Sequence, residues 1–497
     1  MTAHLSPEQL DELDATGGRS GRPRLLLLLA TRSYRTADLL AAADALGVEV
    51  TVGSDAPTAL AGLAPGATIT LPLADAEQTA RAIAAFHAHY PVRAVVGLDD
   101  NTVEAAARAA ELLHLRANPV AAVAAARDKL TTRRCLTEAG LAQPWCRPVA
   151  WKSELATVAA AVPYPCVLKP RDLGGSRGVI RADTASAFVA AGERISRILE
   201  AVAAEEGRPV DETLLVEGFI PGVEVAVEGL LVGGRLHPIC LFDKPDPLDG
   251  PFFEETLYVT PSRLGSAIQA EIWRTAQAAC DALGLVEGPV HIEIRITPAG
   301  GCHLDSAIFR PPRASRQVLD GWRRADFGAG VLKVRYGEHE IGEANAVEGP
   351  ESATECRRIA ESRCHVVEVA PRTIGGLCGR TLRLAAGVRL EEVVLTHALG
   401  GGASAVPAEV PPAGVMMLPI SRGGVLRGVA GVAAARRLPN VAEVAITVPV
   451  GGELVPLPEG DRYLGFLFAR GPDPATVEAT LRDAHARLSF EIEPPAG

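Results

Sequence analysis

From residue 24 the chain alternates between short apolar runs and longer stretches whose apolar residues recur every three or four positions. Residues 24–30, 48–53 and 93–98 predict buried strands, and residues 36–46 and 74–89 predict helices between them. Strands alternating with helices make a parallel sheet with crossover helices, and such sheets place ligands at the carboxyl ends of their strands. Asp99 and Asp100 stand at one such end. No Gly-x-Gly-x-x-Gly follows the first strand, where Thr31-Arg32-Ser33-Tyr34 stands instead, so the dinucleotide-binding fingerprint is missing.

Asn118 and Pro119 open a helical stretch reaching Gly140, with Asn118 as the expected N-cap and Arg127-Asp128-Lys129 inside it. Residues 163–170 predict a strand ending in Leu168-Lys169-Pro170, and residues 171–179 a glycine-rich hairpin turn containing Gly174, Gly175, Ser176, Arg177 and Gly178. Such glycines let backbone N–H groups approach a phosphate, and they suit a flexible hairpin equally well. Residues 214–220 predict another strand, and from Glu224 an alternation puts Glu224 and Glu228 on one face and valines on the other. Residues 230–242 predict a hairpin through Gly233-Gly234, followed by Asp243-Lys244. In residues 288–296, His291, Glu293 and Arg295 share a face, which is costly to bury without partners or ligands. Residues 366–376 give a strand, then Arg372 and a glycine turn. Glu293 and Glu368 are hard oxygen donors suited to magnesium, or else exposed strand carboxylates.

Composition narrows the class. At 497 residues, with 48% apolar and 22% charged residues, the chain predicts about three globular domains. A net charge of −11 argues against extended non-specific nucleic-acid binding. The longest strongly apolar run, residues 25–30, falls far short of the roughly 20 residues that span a bilayer, so no membrane contact is expected. Residues 1–22 read as a flexible leader whose His4, Glu8, Asp11 and Glu12 do not fit a secretory signal, and the expectation is a cytoplasmic protein. Nine scattered cysteines without a Cys-x-x-Cys pair predict neither a disulfide framework nor a zinc site.

Taken in order, these pieces resemble the ATP-grasp superfamily: Lys129, Lys169, the Gly174 to Gly178 loop, Glu217-Gly218-Phe219-Ile220, Glu224, Glu293, then Glu368 with Arg372. Within it the chain resembles the carboxylate-amine ligases near the bacterial L-amino acid ligases and the biotin-carboxylase-like branch, over residues 24–303 and 364–490. The resemblance implies an α/β and α+β multidomain fold. A Rossmann-like pre-ATP-grasp domain would occupy residues 23–118, an ATP-grasp domain of two α+β subdomains residues 119–385, and a C-terminal α/β domain residues 386–497. It further implies that Lys129 and Lys169 contact ATP, on its phosphates and adenine side, and that Gly174, Gly175, Ser176 and Gly178 fold over the triphosphate. Glu217 and the Phe219–Ile220 backbone would read the adenine edge, and Glu224 the ribose hydroxyls. Glu293 and Glu368 would hold Mg²⁺, with Mn²⁺ as an alternative, and Arg372 would stabilise an acyl-phosphate and the following oxyanion.

Two departures stand out. The family pattern Glu-x-Asn-x-Arg appears here as Glu368-Val369-Ala370-Pro371-Arg372, so Ala370 offers no side-chain ligand and either one ion is held more weakly or water completes its shell. Glu293 and Glu368 also lie 75 residues apart, and Cys302-His303 recurs as Cys364-His365. Removing residues 304–365 restores an ordinary hairpin, which predicts an insertion at its turn; a functional lid or partner-binding loop is the competing reading.

The implied reaction is ADP-forming ligation through an acyl-phosphate, using small carboxylate and amine substrates. Lys244, Glu254, Glu255, His291 and Arg295 are candidates on the acceptor side, Glu254 and Glu255 being equally consistent with a surface loop, with Arg295 or Arg372 as the substrate-carboxylate clamp and Lys244, Arg295 and Arg372 as the catalytic set. A biotin-dependent carboxylase, an ATP-binding pseudoenzyme disrupted by the insertion, and a nucleotide-independent binding module are the alternatives. A homodimer is the assembly that the resemblance suggests.

Overall fold

The computed structural model describes residues 22–30, 33, 35–57, 66–152, 155–297 and 364–494, together with the backbone of three strands within 325–344. Five sheets organise these residues, one of them a small antiparallel sheet in which β18 (Gly424–Ala430) lies between β20 (Glu453–Leu454) and β22 (Ser489–Glu493). The first is parallel, in the order β3-β2-β1-β4, from β1 (Arg24–Leu28), β2 (Glu49–Ser54), β3 (Thr68–Thr70) and β4 (Ala94–Gly97). Alternate leucines of β1 explain its two covered faces. Leu26 and Leu28 pack with helices α2 (Ala76–His89) and α3 (Val103–Leu112), while Leu25 and Leu27 pack with α1 (Thr36–Ala45) and with Val394 and Leu395, far along the chain.

The expected single helix over residues 118–140 is two helices, α4 (Val120–Arg127) and α5 (Lys129–Glu138). They break at Asp128, whose extended backbone and side chain cap α5 by accepting from Leu130 N at 3.1 Å. Asn118 is not the cap of α4, because Pro119 holds that position. The Asn118 amide instead accepts from Val286 N and Glu287 N and donates to Glu287 O, clasping the loop before a distant strand.

Next come β5 (Cys146–Ala150), the short α6 (Leu155–Ala159), β6 (Cys166–Pro170), β7 (Ile180–Ala182), α7 (Ala185–Glu206) and β8 (Thr213–Gly218). They build an antiparallel sheet in the order β5-β8-β6-β7, covered by α6 and α7 through Leu155, Phe188, Ile195 and Leu199.

The largest sheet is antiparallel and eight-stranded, in the order β16-β12-β9-β10-β11-β17-β21-β19. Its strands are β9 (Val223–Val232), β10 (Arg235–Lys244), β11 (Leu257–Thr260), β12 (Gly288–Ile296), β16 (Cys364–Ala370), β17 (Ala413–Leu418), β19 (Val441–Ile446) and β21 (Gly465–Arg470). Strands from the C-terminal part thus continue the sheet that carries the acidic residues. Helix α8 (Ser266–Leu283) covers one face, packing Ile272 and Ala276 on Val225, Val227, Ile292 and Ile294. Helices α9 (Arg380–Ala386) and α10 (Leu390–Thr396) pack against Ala226, Leu230 and Phe242 on the other.

β12 and β16 pair directly, with Ile296 opposite Cys364 and Arg295 opposite His365. The two ends of the expected hairpin are therefore neighbours. Most of the expected insertion, with Cys302-His303, lies outside the described residues; its β13 (Ala325–Gly328), β14 (Val331–Tyr336) and β15 (His339–Ala344) form an antiparallel three-stranded sheet. The seven described cysteines are all unpaired, and no helix among the described residues is long and apolar enough to cross a membrane.

Candidate active site

Between the four-stranded sheet and the large sheet, Lys169 from β6 and Glu217 from β8 form a buried ion pair at 2.6 Å. Arg133 of α5 completes it, with Nε 2.6 Å from the other Glu217 oxygen and its amino groups donating to Val366 O and Val367 O of β16. Burial pushes the Glu217 carboxyl up, but Arg133 and Lys169 outweigh it and bring it down to about 2. Both oxygens of Glu217 are thus occupied by cations in this state. The hinge that follows is also tied inward, since Phe219 N–H donates to Pro165 O and Ile220 O accepts from Arg295.

The glycine loop turns through left-handed backbone at Gly175 (φ 62°), Ser176 (φ 57°) and Gly178 (φ 72°). A serine there carries a strain that glycine would not. The loop is held to the C-terminal part by Gly178 N to Pro458 O and Arg177 Nε to Glu459 O, each at 2.9 Å. Lys129 Nζ donates to Leu173 O at 2.8 Å and lies 3.4 Å from Glu368. Together Arg127, Lys129, Gly174, Asp100, Glu368 and Pro371 wall a narrow cleft that opens to solvent.

Neighbouring strands neutralise the ionisable face of β12. His291 pairs with Glu228 of β9 at 2.5 Å, and Arg295 Nε donates to Glu224 at 2.8 Å. Lys244 Nζ sits among three carboxylates: Glu224 at 2.7 Å, Glu293 at 2.9 Å, and Glu255. Burial raises the Glu255 carboxyl to about 7 against the pull of Lys244, whereas Lys244 and His291 hold Glu293 well below the usual carboxylate range despite burial. Glu254, by contrast, is half-buried and lies outside this ionic cluster.

These positions revise two expectations. Arg295 is placed as a brace rather than a clamp: Nε goes to Glu224, Nη1 to Ile220 O and Nη2 to Leu248 O, so each nitrogen already donates to the protein and the side chain is buried. Glu224, expected at the ribose, has both oxygens engaged, by Lys244 and by Arg295.

Of the two expected magnesium donors, Glu293 belongs to a cluster of three carboxylates, whereas Glu368 lies beside Lys129. Glu293 and Glu368 stand opposite each other in the β12–β16 register, and Glu224, Glu255 and Glu293 bring carboxylate oxygens within 4.8 Å of one another around the Lys244 ammonium. A set of hard oxygens already gathered round a positive charge suits a divalent cation. Ala370, opposite His291 and buried, adds none.

Arg372 follows β16. It grips Asp100 bidentately, Nε to Oδ1 at 2.6 Å and Nη2 to Oδ2 at 2.8 Å, and Nη1 donates to Thr373 O. Arg35 of the first domain donates to Leu98 O and to Thr373 Oγ1. The first domain therefore sets the position of the arginine segment. Sequence reasoning passed over Arg133, Arg35 and the Asp100 partnership. The buried Tyr258, whose ring centroid lies 5.1 Å from Lys244 Nζ, was also missed. Their one signal is ionisable or hydroxyl groups in apolar surroundings.

Comparison with known proteins agrees with this architecture. Family models match in chain order: an ATP-grasp N-terminal domain over residues 40–115, an ATP-grasp domain over 162–305, and an L-amino acid ligase C-terminal domain over 416–493. Carnosine synthase 1 of Gallus gallus is 32% identical over 176 residues, covering 35% of this chain and 18% of that protein. Alanine–anticapsin ligase of Bacillus subtilis is 25% identical over 219 residues, covering 42% and 46%. These matches span less than half the length of either relative. The crystal structure of an L-amino acid ligase from Bacillus licheniformis superposes with a TM-score of 0.68 at 21% identity, covering 95% of this chain and 99% of that one. The chain thus carries an ATP-grasp domain, preceded by an ATP-grasp N-terminal domain and followed by an L-amino acid ligase C-terminal domain.

Proposed function

We propose that the chain is an ATP-dependent, ADP-forming carboxylate-amine ligase working through an acyl-phosphate, with an amino acid as at least one substrate. The observation that carries this reading is the cleft where Lys129, the glycine loop, Glu368 and the Arg372 segment converge. Cationic groups, free backbone and metal-suited carboxylates meet there, as phosphoryl transfer to a carboxylate requires. The matched L-amino acid ligase C-terminal domain favours an amine over biotin as acceptor.

In this reading Lys129 and the loop hold the triphosphate, and Glu293 and Glu368 hold Mg²⁺ or Mn²⁺, which neutralises phosphate charge when bound. Arg372 orients the substrate carboxylate in exchange for Asp100, one bidentate partner replacing another. The carboxylate oxygen attacks the γ-phosphorus and the bond to the β-phosphate oxygen breaks, releasing ADP. The amine then attacks the acyl carbon, and phosphate leaves as the nitrogen loses a proton. Arg372 steadies the oxyanion in between. Domain boundaries near residues 118 and 385 and assembly as a homodimer belong to the same proposal.

The test is Mg²⁺-dependent ADP release with pools of amino acids and small carboxylic acids, with hydroxylamine added to trap acyl-phosphate as hydroxamate. ADP release together with hydroxamate supports the ligase. Release stimulated by bicarbonate and biotin alone would replace it with the carboxylase reading.

A further inference from the structure

A second cavity, of about 90 Å³ and open to solvent on one side, lies between the first domain and the large sheet. Val103 and Ala107 of α3, Val123 of α4 and Val394 of α10 give it apolar walls. Arg116, Glu287 and His397 make its polar corner.

That corner is incompletely satisfied. Arg116 Nη2 lies 2.8 Å from Glu287 Oε2 and 3.2 Å from His397 Nδ1. Nη2 also lies 3.5 Å from His397 Nε2, and among the described residues these contacts leave Nε and Nη1 of a five-donor fork unspent on a side chain that is 35% exposed. Glu287 Oε2 is buried near Arg116 and His397, yet no donor meets it with hydrogen-bond geometry. His397 follows α10 directly, and the helical path kinks three residues later at Gly400, whose backbone is left-handed (φ 100°).

An unspent donor fork beside an unsatisfied carboxylate oxygen complements a carboxylate and an ammonium on one small molecule. The corner pairs one cation with one anion, so a phosphate or nucleotide gains little there. We propose that this cavity binds an aliphatic α-amino acid, its carboxylate on Arg116, its ammonium on Glu287 and its side chain against Val103, Val123 and Val394. Binding there is independent of the ligase reading. Its consequence for catalysis rests on that reading: Pro371 lines both cavities and precedes Arg372, and β4, which lines this one, leads directly to Asp100.

The experiment is calorimetric titration of L-leucine into the full-length protein without ATP, repeated for variants with native circular dichroism. Arg116→Gln and Ala107→Leu should each weaken binding at least tenfold, while Arg372→Gln, in the proposed active site, should leave it within twofold. No binding, or binding insensitive to both cavity substitutions, overturns the proposal. 4-Methylpentanoate or isopentylamine binding as tightly as L-leucine overturns the two-ended recognition. Arg116-dependent binding without amino-acid-dependent ADP release supports this site and counts against the ligase reading.

Discussion

Substituting Glu217→Gln tests the electrostatic keystone of the buried Arg133–Glu217–Lys169 cluster. Glu217 is 3% exposed and its oxygens lie 2.6 Å from both Arg133 and Lys169. Neutralising it leaves two buried cations facing each other. A carboxyl brought from 4.5 to about 2 corresponds to about 3 kcal/mol of stabilisation, and breaking a buried ion pair typically costs about 3–5 kcal/mol. The two figures converge, so a loss of about 3 kcal/mol is expected in urea unfolding followed by circular dichroism at pH 7. Linkage gives a second readout: because the folded value lies below the unfolded one, the stabilisation is complete above about pH 4.5 and fades as pH falls toward 2. The wild type should therefore lose stability between pH 5 and 3 more steeply than the variant. A double substitution, Glu217→Leu with Lys169→Met, should recover part of the loss by removing one stranded cation. A Glu217→Gln loss below about 1 kcal/mol with an unchanged acid limb would refute the keystone argument.

Lys244→Met removes the ammonium from among Glu224, Glu255 and Glu293; titration with Mn²⁺ should show divalent-ion affinity rising about fivefold or more while ADP release falls about 100-fold, and unchanged affinity would contradict the placement. Gly174→Ala would place a Cβ 2.5 Å from Asp100 Oδ2, so the loop must lift; KM for ATP should rise about tenfold with little change in Tm. Burial lowers the His291 imidazolium, but Glu228 outweighs it and raises His291 to about 9, so its stabilisation is complete below the ordinary 6.5 and lost as pH rises through 9. Urea midpoints should fall from pH 7 to 9.5 in the wild type and stay flatter in His291→Gln, and identical profiles would remove the pair from the account.

What could be read in advance follows the distance over which each signal acts. Strand alternation is local, so the shared face of His291, Glu293 and Arg295 was visible, and so was the separation of Glu224 and Glu228 from Val225 and Val227. The partners on that face come from β9, β10 and the loop before β11, and spacing within β12 cannot reveal them. Arg295 illustrates the consequence: an arginine on a buried polar face looks like a clamp until Ile220 O and Leu248 O, both distant in sequence, take its nitrogens. The Asp128 break illustrates another limit, since the apolar period crosses residues 120–138 although a cap intervenes. Helix α7, with Thr184 at its cap and Phe188, Ile195, Leu199 and Val202 buried at helical spacing, was legible but bears no chemistry. The first domain's grip on Arg372 through Asp100 and on Thr373 through Arg35 depends on contacts across more than 270 residues, which tertiary structure alone supplies.

The β12–β16 pairing turns the duplicated dipeptide into a sharp test. Cys364 and His365 stand opposite Ile296 and Arg295. Deleting residues 304–365 moves Cys302 and His303 into those same places, so the paired residue types are preserved and Thr297 to Gly301 becomes a five-residue turn. Shortening the connection from about 67 residues to five removes nearly four doublings of loop length, which at about 0.6 kcal/mol each amounts to roughly 2 kcal/mol. The hairpin that carries Glu293 and Glu368 is thus expected to be more stable in the deleted chain, measured as a higher urea midpoint, with ADP release retained. Higher stability together with a tenfold or greater loss of kcat would show that the segment works in catalysis, as the stability–activity trade-off allows. A lower midpoint would mean that the segment contributes contacts of its own, and the insertion reading would fail on energetic grounds.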